Sequence, residues 1–483
     1  MPRGSYLCFT TAISTKSQAM TLVFTGNNVV LPDSSGLQPA TIVVEDGLIK
    51  EIIPGRLTKD DLPRHQAATW VDAGDNYILP GLVDAHVHLN EPGRTDWEGF
   101  LTGTKAAISG GVTTLVDMPL NSIPPTTTLE NLQVKQEAAD GQCWTDVAFW
   151  GGIIPGNESS LKPLVQAGVK GFKCFLIESG VEEFPCVTAD DLIVSMKTLA
   201  DVLAESKDQR SVVLFHAELD SPGNAYGVPA TGEHPPGNPN EYTTFLNSRP
   251  QKLETDAISL ITTLQTHIPT LPCHIVHLSA SSALPLIRAA KTAGLPLTAE
   301  TCFHYLCLEA DDIPAGRPDF KCCPPIRERA NRDLLWEALK DGTLDCVVSD
   351  HSPCVVELKA TDIMNAWGGI STLGLGLSLL WTEGKKRGIT INQIVTWTSV
   401  KTAEHAGLAH KKGRLAVGHD ADLIIWDPEA SYKVTKDMMH FKNKMSPYEE
   451  MTLSGQVERT YLRGHLAYNR LAGGFVERAG EMI

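Results

Sequence analysis

The chain has 483 residues, and its 41 lysines and arginines against 57 aspartates and glutamates give a formal net charge of −16 at pH 7. Such an acidic surface disfavours binding to nucleic acid or to anionic membranes, and no stretch reaches the ~18 consecutive apolar residues of a transmembrane helix. The 11 cysteines show no regular spacing. They predict reduced thiols and a cytoplasmic protein, not a disulfide framework.

The first segment, residues 1–20, differs in composition from the rest of the chain. It contains Arg3, Lys16 and several serines and threonines, and it has no acidic residue. We expect a disordered or appended terminus, and a short organelle-targeting peptide is the alternative interpretation.

Short β-rich runs occupy both ends of the remaining chain. Residues 21–75 alternate apolar and β-branched segments with turn signals such as Asp46-Gly47, a pattern typical of hairpins. A similar pattern returns in residues 412–483, for example in Asp422-Leu-Ile-Ile-Trp. We therefore expect 21–75 and 412–483 to form one small β-sandwich domain together.

Residues 76–411 carry a different pattern, in which short apolar runs alternate with longer helix-like stretches. Eight strands alternating with helices is the count of a (β/α)8 TIM barrel, so the predicted fold class is α/β, a TIM barrel flanked by the β-sandwich. The eight predicted strands are 81–88, 112–118, 145–153, 169–175, 211–217, 272–278, 295–300 and 344–350.

Polar residues stand at the ends of five of these predicted strands. His86 and His88 are two apart, so both imidazoles lie on one face of a strand, where they suit Zn²⁺ or a similar ion. The active site of a TIM barrel lies at the C-terminal ends of its strands, so groups on different strands converge there. The set predicts a metal site, and its members are His86, His88, Lys173, His216, His277 and Asp350.

Some members also have an interpretation without metal. His216 and His277 each close an apolar strand, where a buried core histidine is common. Asp350 ends the last predicted strand, and a buried carboxylate there needs a cation. His274, three residues before His277, is expected to face the other side of its strand and to be structural.

Lys173 is the unusual member, because a lysine that ends an apolar strand is costly to bury as an ammonium. Desolvation favours the neutral amine, which can add carbon dioxide to become a carbamate able to bridge two metals. A lysine that reaches solvent, or one that binds an anion, is the alternative. The residues alone do not choose between these interpretations.

These motifs resemble those of the cyclic amidohydrolases, and the resemblance runs from the strand pattern near residue 21 to Gly413-Arg-Leu-Ala-Val-Gly. It implies a TIM barrel with two divalent metal ions, with Zn²⁺ as the first choice and Co, Mn, Fe or Ni as alternatives. It places His86, His88 and Asp350 on one ion, His216 and His277 on the other, and a carboxylated Lys173 between them. It also implies that Asp350 is the catalytic acid and base.

Several segments are most similar to the allantoinase branch of that family, among them Gly171-Phe-Lys-Cys-Phe-Leu-Ile-Glu-Ser-Gly and Glu300-Thr-Cys-Phe-His-Tyr. Dihydroorotases usually carry arginine two residues after the second histidine, where this chain has Asn90. The resemblance thus implies hydrolysis of the hydantoin ring amide of allantoin to allantoate, in purine and ureide nitrogen catabolism. The alternatives are a hydantoinase- or dihydropyrimidinase-like hydrolase of another cyclic ureide, and a non-catalytic assembly protein on the same fold.

The expected partner is a small cyclic ureide, with no nucleic acid and no membrane. By resemblance we also expect a homo-oligomer, a tetramer. Asn121 could instead cap a loop and Cys323 could be a packed core residue. The residues expected to contact the substrate are Asn90, Asn121, Cys323 and Ser352.

Overall fold

The computed structural model describes residues 21–32, 36–205, 209–220 and 237–483. The prediction for residues 1–20 lies outside these ranges. The chain begins with strands that belong to a large mixed sheet. They are β1 Leu22–Val29, β2 Gln38–Glu45, β3 Leu48–Pro54, β4 Thr69–Asp72 and β5 Tyr77–Pro80.

Parallel strands then form the barrel. Every residue of the first two barrel strands is buried, as expected when helices cover the outside and side chains fill the inside. One predicted strand, 145–153, is divided at Trp150 into two pieces. The strands are β6 Leu82–Val87, β7 Val112–Asp117, β8 Asp146–Phe149, β9 Gly151–Gly152, β10 Phe172–Phe175, β11 Val213–His216, β12 Cys273–Ile275, β13 Leu297–Cys302 and β14 Cys346–Val348.

Hydrogen bonds between neighbouring strands set the order around the barrel. The strands pair in parallel as β6-β7-β8 and as β9-β10-β11-β12-β13-β14. A bridge between Val87 and His351, with a hydrogen bond of 2.8 Å from His88 N to the His351 carbonyl, joins the last strand to the first. The C-terminal ends of β6 and β14 are therefore neighbours, although they lie far apart in sequence.

Helices alternate with these strands. The side chain of Thr128 accepts a hydrogen bond from Asn131 N and caps one helix, and Thr390 forms a capping box with Gln393 on another. A π-helical turn, Thr396–Val400, joins the last two helices. The helices are α1 Phe100–Ser109, α2 Leu129–Ala139, α3 Glu158–Gln166, α4 Ala189–Glu205, α5 Tyr242–Ser248, α6 Gln251–His267, α7 Leu284–Thr292, α8 Phe303–Cys307, α9 Arg329–Lys340, α10 Gly376–Lys385, α11 Ile391–Val395 and α12 Lys401–His405.

The chain returns to the first sheet through β15 Leu423–Lys433, β16 Thr452–Leu462, β17 His465–Asn469 and β18 Gly474–Phe475. The nine-stranded sheet runs β18-β17-β16-β15-β5-β1-β2-β3, with β4 beside β1. Apolar side chains from both chain ends share one core, in which the Phe24 and Tyr461 rings meet edge to face with centroids 4.8 Å apart.

The predicted fold class, a TIM barrel with a small β-sandwich domain from both chain ends, is confirmed. The exact domain limits at residues 75 and 411 stay a prediction, and β5, which that division assigned to the barrel, pairs with β1 and β15 of the sheet. Every cysteine that the structure describes is free. Across the same ranges, no helix is long and apolar enough to cross a membrane.

A buried cluster of charges fastens the barrel to the strands at the C-terminal end of the chain. The Lys412 ammonium lies 2.6 Å from Asp146 at the start of β8, and 2.8 Å from both Asp420 and Asp422, just before β15. Arg463, after β16, also pairs with Asp146. One barrel carboxylate is thus held by two cations from the returning segment.

We expect the Lys412→Met variant to unfold about 3–5 kcal/mol more easily than the wild type, because it leaves buried carboxylates without their cation. Chemical denaturation followed by circular dichroism would measure the change. Lys411→Met, at the preceding and less buried position, is the matched control and should stay near the wild type. Equal losses in the two variants would contradict a specific role for the buried ammonium.

Candidate metal centre and active-site cavity

A cavity of about 440 Å³ opens at the C-terminal ends of the barrel strands. Polar groups from β6, β10, β11, β12 and β14 reach its floor, and loops such as the one that carries Trp367 form its rim. All six side chains predicted as metal ligands line this cavity: His86, His88, Lys173, His216, His277 and Asp350.

The first group of candidate ligands joins the two strands where the barrel closes. His86 lies in β6, His88 directly follows that strand, and Asp350 follows β14. Asp350 Oδ1 lies 3.2 Å from His86 Nε2 and 3.6 Å from His88 Nε2. One ligand atom from each of the three residues falls within 4.8 Å of the others, the spacing of a shared cation.

The second group lies beside it, at the ends of β11 and β12. His216 Nδ1 and His277 Nε2 are 3.0 Å apart. The His216 ring stacks on Phe175, with centroids 4.5 Å apart and planes 14° from parallel, and this contact fixes its orientation. His277 also lies near His86, with ring centroids 5.4 Å apart, so the two groups are adjacent.

Lys173 lies within β10, with its side chain inside the barrel and about 1% of the residue exposed. Burial lowers the pKa of its ammonium to about 8, although Asp350 and Glu300 act in the opposite direction. A minor fraction of the amine is therefore neutral at pH 7, and this neutral amine is the form that reacts with carbon dioxide.

The electrostatic state of the histidines suits metal ions. Burial lowers the pKa of His216 to about 4 and holds the pKa values of His88 and His277 well below 6.5, so these imidazoles are neutral near pH 7. Neutral imidazole is the form that binds a metal. His86 Nε2 and His277 Nδ1 are buried and have no hydrogen-bond partner among the described residues.

Asp350 is buried beside these rings. Burial raises the pKa of its carboxyl, while His86 and Lys173 act to lower it. A buried carboxylate is costly without a cation. The donor set of imidazole nitrogens and carboxylate oxygens therefore fits a divalent transition ion, and the observed spacing fits two of them side by side.

The backbone is constrained at the same place. His277 and Asp350 adopt positive φ values of 39° and 43°, and Asn121 and Asn90 adopt 66° and 63°. Such conformations are uncommon for residues other than glycine and tend to cluster at functional sites. They turn each chain segment sharply at the end of a strand, which directs the side chain of His277 or Asp350 into the cavity.

A model of the amidohydrolase family matches residues 77–467. The chain belongs to the amidohydrolase family. The allantoinase of Saccharomyces cerevisiae is 47% identical over 458 residues, covering 93% of this chain and 95% of that protein. The allantoinase of Streptomyces avermitilis is 44% identical over 462 residues, covering 96% of this chain and 98% of that protein.

Solved structures give the same family assignment. The L-hydantoinase (dihydropyrimidinase) of Arthrobacter aurescens superposes with a TM-score of 0.86 at 28% identity, covering 95% of this chain and 99% of that one. The dihydropyrimidinase of Brevibacillus agri superposes with a TM-score of 0.83 at 26% identity, covering 96% of this chain and 98% of that one. The resemblance seen in the motifs is confirmed: this amidohydrolase is an enzyme of the cyclic amide hydrolase class, and its family implies dependence on metal.

The residues expected to contact the substrate fall into two sets in this amidohydrolase. Asn121, Cys323 and Ser352 line the cavity. The Asn121 amide also lies 3.3 Å from His88 Nδ1, so it contacts a candidate ligand as well as the cavity. Asn90 does not line the cavity, because its side chain turns away and donates to the Pro353 carbonyl at 3.3 Å.

Two carboxylates that the sequence reasoning did not single out support the candidate ligands. Glu300 contacts His86 and Glu218 contacts His216, each through the ring nitrogen that faces away from the candidate metal position. Although burial acts to raise it, the contacts with His86 and His274 hold the pKa of Glu300 well below its usual range. The position of Glu218, two residues after His216, was the one available signal.

His274 does not line the cavity, and its ring contacts two polar side chains. It donates from Nε2 to Glu300 at 3.1 Å, and its Nδ1 lies 2.6 Å from the Thr298 hydroxyl. His304 is fully buried and does not line the cavity. Arg249, Lys321 and Trp367 line the cavity wall.

Proposed function

We propose that this amidohydrolase opens the hydantoin ring of allantoin by hydrolysis of a ring amide and so forms allantoate. The observation that carries the proposal is the convergence of six candidate ligands on one cavity at the barrel mouth. The choice of substrate is supported by the curated allantoinases, which are 47% and 44% identical over nearly the whole chain. The cavity, at about 440 Å³, has ample room for a small ring.

We propose two divalent metal ions, with Zn²⁺ as the first choice and Co, Mn, Fe or Ni as alternatives. His86, His88 and Asp350 would hold one ion, His216 and His277 the other, and the carbamate of Lys173 would join them. When bound, such ions lower the pKa of water and polarise a carbonyl group.

Asp350 is proposed as the general base and acid of the reaction. It is the one carboxylate among the six candidate ligands, and it lies beside both His86 and His88. It would take a proton from the attacking water and return that proton to the ring nitrogen as the amide bond breaks. The burial that raises its pKa brings the carboxyl closer to the range in which one group can perform both steps.

Asn121, Cys323 and Ser352 are proposed to orient the ring, since all three line the cavity. Ser352 follows Asp350 by two residues, and both line the cavity. We propose no substrate contact for Asn90, because its side chain is turned toward Pro353.

Ser352→Ala should raise the KM for the ring substrate about 2–10-fold and change kcat less, because one neutral hydrogen bond contributes about 0.5–1.5 kcal/mol. Steady-state kinetics on the purified variant would measure both constants. A fall in kcat with an unchanged KM would instead assign the hydroxyl to the transition state.

The direct test of the proposed function is an assay of allantoate formation by the purified protein, with metal content measured on the same sample. We expect turnover of allantoin and two metal ions per chain. A 5-substituted hydantoin is the control substrate, and turnover of it without turnover of allantoin would move the function to another cyclic ureide. The proposed tetramer can be measured on the same preparation by light scattering.

A further inference from the structure

Glu300 occupies the interior of the barrel and contacts two members of the candidate metal centre, His86 and His277, together with the neighbouring His274. Its Oε1 lies 2.5 Å from His86 Nδ1, and its Oε2 accepts from His274 Nε2 at 3.1 Å. The backbone N–H of His277 also points at Oε1, at 3.3 Å. Both members of the His86–Glu300 pair are buried, with side-chain exposures of 1% and 0%.

Glu218 contacts a histidine of the second group, His216, in the same way. Its Oε2 lies 2.8 Å from His216 Nε2, and its side chain is fully buried. Arg249 holds the same carboxylate through two hydrogen bonds, from Nε to Oε1 at 3.0 Å and from Nη2 to Oε2 at 2.6 Å. The carboxylate is thus fixed between a guanidinium and an imidazole.

These contacts decide which ring nitrogen of each histidine carries the proton. An ionised carboxylate only accepts, so His86 must carry its proton on Nδ1 and His216 must carry its proton on Nε2. The remaining lone pairs are on His86 Nε2, toward Asp350, and on His216 Nδ1, toward His277. Each carboxylate therefore orients the lone pair of its histidine toward a different candidate metal position.

We propose that Glu300 and Glu218 are positioning residues of the metal centre, and that each controls one ion: Glu300 the ion held by His86, His88 and Asp350, and Glu218 the ion held by His216 and His277. A carboxylate on the far nitrogen fixes the ring orientation and raises the basicity of the ligand. This inference rests on the metal centre described under the proposed function, but not on the identity of the substrate.

A purely structural role makes a different prediction. If the two carboxylates only filled space and joined strands, the loss of either one would loosen the barrel and weaken the binding of both ions. If each acts through its own histidine, the loss should be confined to one ion. Glutamine keeps the shape of glutamate and removes its charge, so E300Q and E218Q separate the two cases.

The test is Zn²⁺ content per chain, measured against a series of chelator concentrations after the protein is loaded with Zn²⁺ and bicarbonate. In E300Q and in E218Q we expect one ion to bind about 10–100-fold more weakly, the usual effect of removing such a partner, while the other keeps its wild-type affinity. E218Q/R249M controls for the guanidinium that E218Q leaves without a carboxylate.

Double variants assign the ion that is lost. E300Q/H88A removes two supports of the same ion, so one Zn²⁺ should remain, whereas E300Q/H277A should retain none at the same chelator concentration. For E218Q the pattern should reverse: one ion remains with H277A and none with H88A. The thermal midpoint of each metal-free variant should stay near that of the metal-free wild type.

Three results would overturn the proposal: wild-type Zn²⁺ affinities in E300Q and E218Q, equal weakening of both ions in each variant, or a wild type that binds no Zn²⁺. The last result would remove the metal centre itself. A wild type that binds two Zn²⁺ ions but does not hydrolyse allantoin would reject only the proposed substrate. The variants would then still test the two carboxylates.

Discussion

Replacing Lys173 with alanine should remove both metal ions and reduce turnover to the background rate. The residue is about 1% exposed and lies on the cavity floor between the two groups of candidate ligands. Its carbamate, if formed, would be the one group shared by both ions, so its loss should affect the whole centre. Metal content and allantoate formation, measured on the same preparation, would show the two losses together.

The informative control is Lys173→Arg, which keeps a long cationic side chain but cannot form the carbamate, because a guanidinium stays protonated. It should therefore resemble Lys173→Ala. Carbon-13 NMR of the wild type loaded with labelled bicarbonate should show a carbamate signal that both variants lack. An arginine variant with two metals and normal turnover would reject the bridging role and leave Lys173 as a buried cation.

Asp350→Asn should lower kcat by at least about 10²–10⁴-fold, the range for loss of a general acid or base, and by more if the ion beside it is also lost. The amide cannot accept a proton from water, although it fills nearly the same volume as the carboxyl. Measurement of kcat at saturating Zn²⁺ would separate the chemical loss from weaker metal binding.

Asp345→Asn is the matched control for Asp350→Asn. Asp345 precedes β14 at the opposite end of the barrel, where it accepts hydrogen bonds from Lys291 and from Ala299 N. The same change of side chain there should leave turnover per folded molecule near the wild type. Comparable losses of kcat in both variants would show that Asp350 acts through stability and not through proton transfer.

The sequence by itself determined the barrel and the candidate ligand set. Parallel barrel strands are buried on both faces, so they appear in the chain as short apolar runs, and a polar residue that ends such a run is conspicuous. His216 ends β11 and Asp350 follows β14 by two residues, whereas Lys173 lies within β10 as a single cation among apolar residues. Because the strands of a parallel barrel end at one face, the chemistry at each strand end predicted a common site before any contact was known.

Only the tertiary structure decided which other side chains support that site. Glu300 meets His86 across 214 positions of sequence, and the pair forms because β13 and β6 both direct side chains into the barrel interior. A carboxylate within an apolar strand gives no sign in the sequence of which histidine it will contact. The same limit applies to Arg249, whose guanidinium reaches Glu218 from a separate helix–loop segment.

The geometry of the loops could not be predicted from the sequence either. Asn90 follows His88 by two residues, and the resemblance to the family implied that it would contact the substrate. The strand ends at Val87, however, and a φ of 63° at Asn90 turns its side chain toward Pro353. Alternation fixes the direction of a side chain only while the strand continues, and beyond its end the contacts made by the folded chain decide that direction.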